Sequence, residues 1–156
     1  MKTIPAHFYT IILSLWVGGI FLFTFVVTPV IFRSFGKDMA GEIVGKLFPS
    51  YFLFSILVSV LSLLFFLVAF QNRAIPGYTV SLFLLIAAVV LSLYVSFSLH
   101  PQIKTVKQEI ASFEKTSPDD QLRKKFRALH GQSAILNLLM LADGLALIVI
   151  SSGLRK

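Results

Sequence analysis

Residues 117–144 read SPDDQLRKKFRALHGQSAILNLLMLADG. The run opens with a strong helix start. Ser117 suits an N-cap, Pro118 the first helical position, and Asp119 and Asp120 the first turn. From about Ala134 the run is apolar enough to enter a bilayer. Within that apolar part sit Asn137 and Asp143, a polar amide and an ionisable acid where hydrocarbon is expected. The pattern predicts one long helix that starts in water and ends in lipid, with the other helices built around it.

Composition agrees. Of 156 residues, 56% are hydrophobic and 13% charged, and the mean hydropathy is +0.86. A soluble domain would be about a quarter charged. With 16 Phe and several long apolar runs, the class is a polytopic helical membrane protein. The absence of cysteine excludes disulfides, thiolate zinc sites, iron–sulfur clusters and covalent haem attachment. The net charge of +7 reads as Lys and Arg marking loops that face anionic lipid, and no nucleic-acid partner is expected. The first apolar stretch, 8–32, is too long for a signal-peptide core and no A-x-A site follows it, so it is expected to stay as a span.

Four spans follow, at about 8–32, 50–70, 78–99 and 134–152, all helical because lipid offers the backbone no hydrogen-bond partner. The expected fold is thus all-α: a single domain, 1–156, forming a four-transmembrane-helix bundle. On the first span His7, Thr10, Ser14, Gly18, Phe21, Phe25, Thr28 and Pro29 share about a third of the circumference. Its Ser14-xxx-Gly18 step invites a neighbouring helix. Between spans one and two, Phe35, Met39, Ile43 and Leu47 recur every four residues, which suits a short interfacial helix over about 37–47. Pro49 then falls near the start of span two. Ser55, Ser59 and Ser62 in span two, and Ser81, Ala88 and Ser92 in span three, make stripes that mark helix–helix contact. The short connection Gln71–Gly77 makes spans two and three antiparallel neighbours.

Beyond span three, Leu99, Ile103, Val106, Ile110 and Phe113 are spaced 4, 3, 4, 3. Leu122, Phe126, Leu129 and Ser133 answer with 4, 3, 4. These seams predict an extramembrane helical hairpin over about 100–130, kinked by Pro101 at the membrane edge. Loops one and three carry ten basic residues, and the termini with loop two carry four: Lys2, Arg73, Arg155 and Lys156. The positive-inside rule therefore places the hairpin in the cytoplasm and both termini outside, in a plasma or inner membrane.

The chemistry candidates are few. His100 ends span three and His130 precedes span four, so both lie at one edge, while His7 lies at the other. Two neutral imidazoles from facing helices can bind a transition metal or haem iron, and each can equally serve as an interfacial side chain. Asp143 either carries protons or a cation, or is neutral and bonded to a neighbouring hydroxyl. His130, Ser133, Asn137 and Gly144 share one face, expected to line the bundle and to floor a cavity near His100. No H-E-x-x-H, G-x-S-x-G or P-loop is present, and a non-enzymatic protein is expected.

Four stretches carry a resemblance: Trp16-Val17-Gly18-Gly19, Pro29 through Phe35, Lys46 through Phe52 (KLFPSYF), and Phe126 through Asn137 (FRALHGQSAILN). Together they resemble the transmembrane protein 205-like family of small four-helix membrane proteins. The resemblance implies a domain of unknown function, with an animal member linked to platinum-drug resistance and vesicular export. By motif match Phe48, Pro49, Tyr51, His130, Gly131, Ser133 and Asn137 carry over, together with Trp16, Gly18 and Gly19. Asp143-Gly144 stands where some members are expected to carry Asn-Gly. His7 ahead of Trp16 is also similar to an early span of copper-resistance D-like and HemJ-like proteins, which implies haem or copper chemistry for that one span only. The leading expectation is a protein that binds or helps move a small ligand, metal or haem first. The rival is an adaptor whose hairpin binds a cytoplasmic protein, and a cofactor-dependent oxidoreductase is third. The expected partners are the lipid bilayer, a cytoplasmic protein and a second copy of the chain.

Overall fold

Four apolar runs become four long helices because a backbone in hydrocarbon must satisfy its own polar groups. In the computed structural model, residues 3–71 and 76–154 are described. The basic residues Lys2, Arg73, Arg155 and Lys156, and most of the second connection, lie outside them. The first span is α1 (Thr3–Leu22), a π-turn (Phe23–Val27) and α2 (Thr28–Ser34). The second is α3 (Lys37–Ala69). The third is α4 (Tyr78–Tyr94), a π-turn (Val95–Leu99) and α5 (His100–Glu109), and the fourth is α6 (Gln121–Leu154). All four are long and apolar enough to cross a membrane, and no strand occurs among the described residues.

Successive spans run antiparallel. Between α3 and α4, Phe66 meets Tyr78, Ser59 Oγ lies 3.2 Å from Ser92 Oγ, and Phe52 meets His100. Between α1 and α3, Tyr9 meets Phe66 near one end and Phe23 stacks on Tyr51 towards the other. The first helix also packs on α6, and α6 on α4, which closes the ring. Ser55, Ser59, Ser62, Ser81 and Ser92 are all buried, so the serine stripes are helix contacts. Gly77 precedes α4 with φ 87°, a left-handed conformation that suits a residue without Cβ.

Both π-turns stand just ahead of a proline. Pro29 and Pro101 lack an N–H, and their rings crowd the carbonyls four residues back, on Phe25 and Phe97. Each of those residues lies inside the π-turn, where the wider i→i+5 winding moves the crowded carbonyl away. The strain expected at Pro101 is therefore taken up one turn earlier, and Pro29 uses the same device.

The main core holds Tyr9, Leu13, Trp16, Ile20, Phe66, Phe70, Leu85, Met140 and Leu147. Outward lie Leu15, Phe83, Phe97 and Val149, an apolar exterior that fits a lipid bilayer.

The first helix turns a different face inward from the one expected. His7, Ser14, Gly18, Phe21 and Phe25 are exposed, and a Cβ on Gly18 would meet nothing within 4 Å. Ala6, Tyr9, Ile12, Leu13, Trp16 and Ile20 pack into the bundle instead. The helix expected over 37–47 exists but is not separate: α3 runs unbroken through Pro49 to Ala69. Its small residues, Ala40 and Val44, are buried, whereas Met39 and Leu47 point away. The cap of α6 is Asp120, not Ser117. The Asp120 carboxylate accepts from Leu122 N at 2.9 Å and Arg123 N at 3.2 Å, so Ser117–Asp120 is a turn ahead of the helix. The outgoing arm of the hairpin is shorter than the seam suggested. It ends at Glu109, and Ile110 is extended.

Candidate functional site

Two glycines one turn apart, Gly41 and Gly45, leave bare backbone on the first turns of α3. Into that groove lies the side chain of Lys107 from α5, whose ammonium donates a hydrogen bond to the Gly41 carbonyl. A Cβ on either glycine would come within 3.5 Å of that ammonium. Beside the groove opens a cavity of about 700 Å³ between α2, α3, α5 and α6. Thr28 and Phe32 line it from α2, Val44 and Phe48 from α3, His100 and Ile103 from α5, and Phe126 and His130 from α6. Phe113 adds a wall from the loop. The volume falls in the ordinary small-molecule range, about 300–1,000 Å³.

The two histidines that the sequence puts at one membrane edge both line this cavity. His100 is half-buried and sits edge-on to Phe52 (4.8 Å between ring centres) and Phe48 (5.5 Å). His130 is exposed at the cavity wall and stacks nearly parallel on Phe126 at 5.6 Å. Phe126 in turn meets Phe113 edge-on at 4.8 Å, with the Arg123 guanidinium over the Phe113 ring. His7 is exposed at the opposite end of the bundle.

The lining carries Lys37, Lys46, Lys104 and Lys107 against a single acid, Glu42. Glu42 pairs with Lys46 at 2.7 Å. The nearby Asp38 is occupied otherwise: Ser112 Oγ and, at 2.6 Å, Phe113 N donate to its carboxylate. Asp38 thereby ties the tip of the hairpin to the start of α3, ahead of the apolar part of that helix. Those hydrogen bonds hold its carboxyl below the usual aspartate range.

Asn137 does not open onto the cavity. It lies seven residues beyond His130, roughly 10 Å deeper along α6. Its side-chain oxygen accepts from the Tyr51 hydroxyl, and its amide donates to Thr24 Oγ1 at 2.7 Å. Thr24 sits inside the first π-turn, so three spans meet at one amide. Ser133 lies between His130 and Asn137, half-buried and outside the cavity lining. Gly131 has nothing within 4 Å of where its Cβ would stand. Gly19 packs against the Phe54 ring, and Gly144 against Val17 and Trp16. Asp143 has both carboxylate oxygens enclosed, and neither finds a hydrogen-bond partner among the described residues. The hydroxyl partner that one of the two readings of Asp143 called for is not found among the described residues. Sequence reasoning missed Thr24, Asp38 and Lys107. The Gly41–Gly45 spacing was the available signal for the last.

Four apolar spans and a ligand-sized cavity beside their polar extension define an integral helical membrane protein. The chain belongs to the family described as "Domain of unknown function (DUF4149)", whose model matches residues 11–112. No curated protein and no solved structure matches it. The matched part contains Tyr51, His100 and Lys107, while His130, Asn137 and Asp143 lie beyond it.

Proposed function

We propose that this protein binds, or helps to move, a small ligand held in the cavity between α2, α3, α5 and α6, without enzymatic chemistry of its own. The observation that carries the reading is that His100 and His130, from different spans, line one cavity of about 700 Å³ with aromatic walls. The positive-inside count favours the orientation that goes with it: the hairpin in the cytoplasm, the cavity at the cytoplasmic edge of the membrane, and the termini outside. The likeness to transmembrane protein 205-like proteins adds export and metal-drug resistance as a setting.

If haem were the ligand, His100 and His130 would be the residues to hold its iron and the lining lysines would meet its carboxylates. A bare metal ion fits less well. Among the described residues no group of three or more His, Cys, Asp or Glu could hold one, so two imidazoles would be its protein ligands. The absorption spectrum and metal content of detergent-purified protein separate these cases. A Soret band lost in His100→Ala and His130→Ala supports haem. A stoichiometric metal lost in the same variants supports a metal.

The second reading is an adaptor. It draws on the basic, exposed tip of the hairpin, Lys115, Lys124, Lys125 and Arg127, which Asp38 ties to α3 through Ser112 and Phe113. Capture of one soluble protein that is lost in Asp38→Ala, with the cavity indifferent to mutation, would favour it.

A further inference from the structure

We propose that the occupant of this cavity is an anionic single-chain lipid, with the acyl chain among the aromatic walls and the headgroup at the lysines. This rests on the cavity being a ligand site and names the class of ligand. Two features of the lining carry it. The first is charge: four lysines face one glutamate, and that glutamate already has Lys46. Among the described residues Lys37, Lys104 and Lys107 make no ion pair. Lys107 is the most telling. An ammonium has three N–H donors, and among the described residues only one is used, on the Gly41 carbonyl. A half-buried cation with donors to spare beside a cavity is complementary to a carboxylate or phosphate.

The second feature is the rest of the wall. Thr28, His100, Gln108 and His130 add a few polar side chains, but Phe32, Val44, Phe48, Ile103, Phe113 and Phe126 form a continuous apolar surface beside them. A small polar ligand would leave that surface uncovered, whereas an acyl chain gains by burying it. The cavity also sits where the apolar spans give way to charged helix ends, so a lipid reaches it with its chain already in the hydrocarbon and its headgroup level with the lysines.

The test uses the full chain in a non-ionic detergent, with added oleate, lysophosphatidate, lysophosphatidylcholine or inorganic phosphate, and adducts read by native mass spectrometry. The expected result is a single oleate or lysophosphatidate per chain, competing with each other. Lysophosphatidylcholine should bind about tenfold more weakly or worse, and inorganic phosphate should not hold. Oleate alone, or lysophosphatidate alone, would identify the headgroup as carboxylate or phosphate within the class. The double variant Lys104→Gln and Lys107→Gln should weaken the lipid about tenfold, and Lys107→Arg should retain it. Both glutamines sit at partly solvated positions and leave the core alone. Phosphate binding as well as the lipids would overturn the role of the acyl chain. Lysophosphatidylcholine binding as tightly as oleate, with the glutamine variant unchanged, would overturn the anion assignment while leaving a ligand cavity. If Gly45→Phe, folded by circular dichroism and filling the groove, left every adduct unchanged, the cavity itself would be the wrong place and the reading above would fall too. No adduct with any of the four overturns the lipid assignment, and the haem and metal measurements then decide the cavity independently.

Discussion

The Tyr51 hydroxyl on α3 donates to the side-chain oxygen of Asn137 on α6, and the Asn137 amide donates on to Thr24 in the first π-turn. One side chain thus fastens three spans just below the cavity. Tyr51→Phe and Asn137→Leu should each lower stability in detergent, by about 1–2 kcal/mol. The double variant should cost less than the two added together, since each single change strands the other partner. Coupling between buried polar groups in membrane bundles averages ~0.6 and reaches ~1.7 kcal/mol. Additive losses in a thermal double-mutant cycle would show that the contact does not hold the spans.

Asp38 should govern the hairpin tip and little else. Asp38→Ala removes the acceptor for Ser112 and Phe113. Hydrogen exchange over 110–120 should quicken while the spans keep their protection. The pH dependence follows from the direction of its shift. Its carboxyl is held low in the folded protein, so the tie is fully present above the unfolded value and is lost as pH falls through the lowered one. Exchange at the tip should be flat with pH near neutrality, after correction for the intrinsic rate, and rise only in acid. A rise near pH 6 would point to a histidine instead.

Asp143 encloses two carboxylate oxygens with no hydrogen-bond partner among the described residues. Such a group costs stability, so Asp143→Leu should raise the unfolding temperature in detergent, by about 1–3 kcal/mol in free energy. A fall would reveal a water or cation that Asp143 holds. A more stable protein that no longer supports ligand movement would place Asp143 in function and not in folding.

Gly144 and Gly18 make a matched pair of tests. A Cβ on Gly144 would stand 2.6 Å from Val17 Cγ2, and valine at that site has little freedom to give way. Gly144→Ala should cost about 1–3 kcal/mol by overpacking α1 against α6. Gly18→Ala meets nothing within 4 Å and should be neutral, or stabilising by up to about 1 kcal/mol through helix propensity. If Gly18→Ala proved the harmful one, the first helix would have to be rotated.

The sequence by itself determined that there are four spans, that they are helical, and that successive spans run antiparallel. Apolar length and the demand for backbone hydrogen bonds allow no other answer. It also placed His100 and His130 at one edge, since each adjoins the end of an apolar run. The serine stripes were legible because small polar residues in a span mark close helix contact. The tertiary structure alone decided which face of the first helix looks inward. In a soluble helix the polar face goes to water, but in a bilayer the outside is as apolar as the inside, so periodicity loses its direction. Ser14 and Gly18 face outward, and Trp16 fills the bundle, because of the shape of the space between helices. The partners of Asn137, the tie between Asp38 and Ser112, and the lodging of Lys107 against Gly41 each join residues more than sixty positions apart. No local pattern encodes such a meeting. It follows from how four long helices pack side by side and run on past their apolar parts, and the cavity is the space they leave between them.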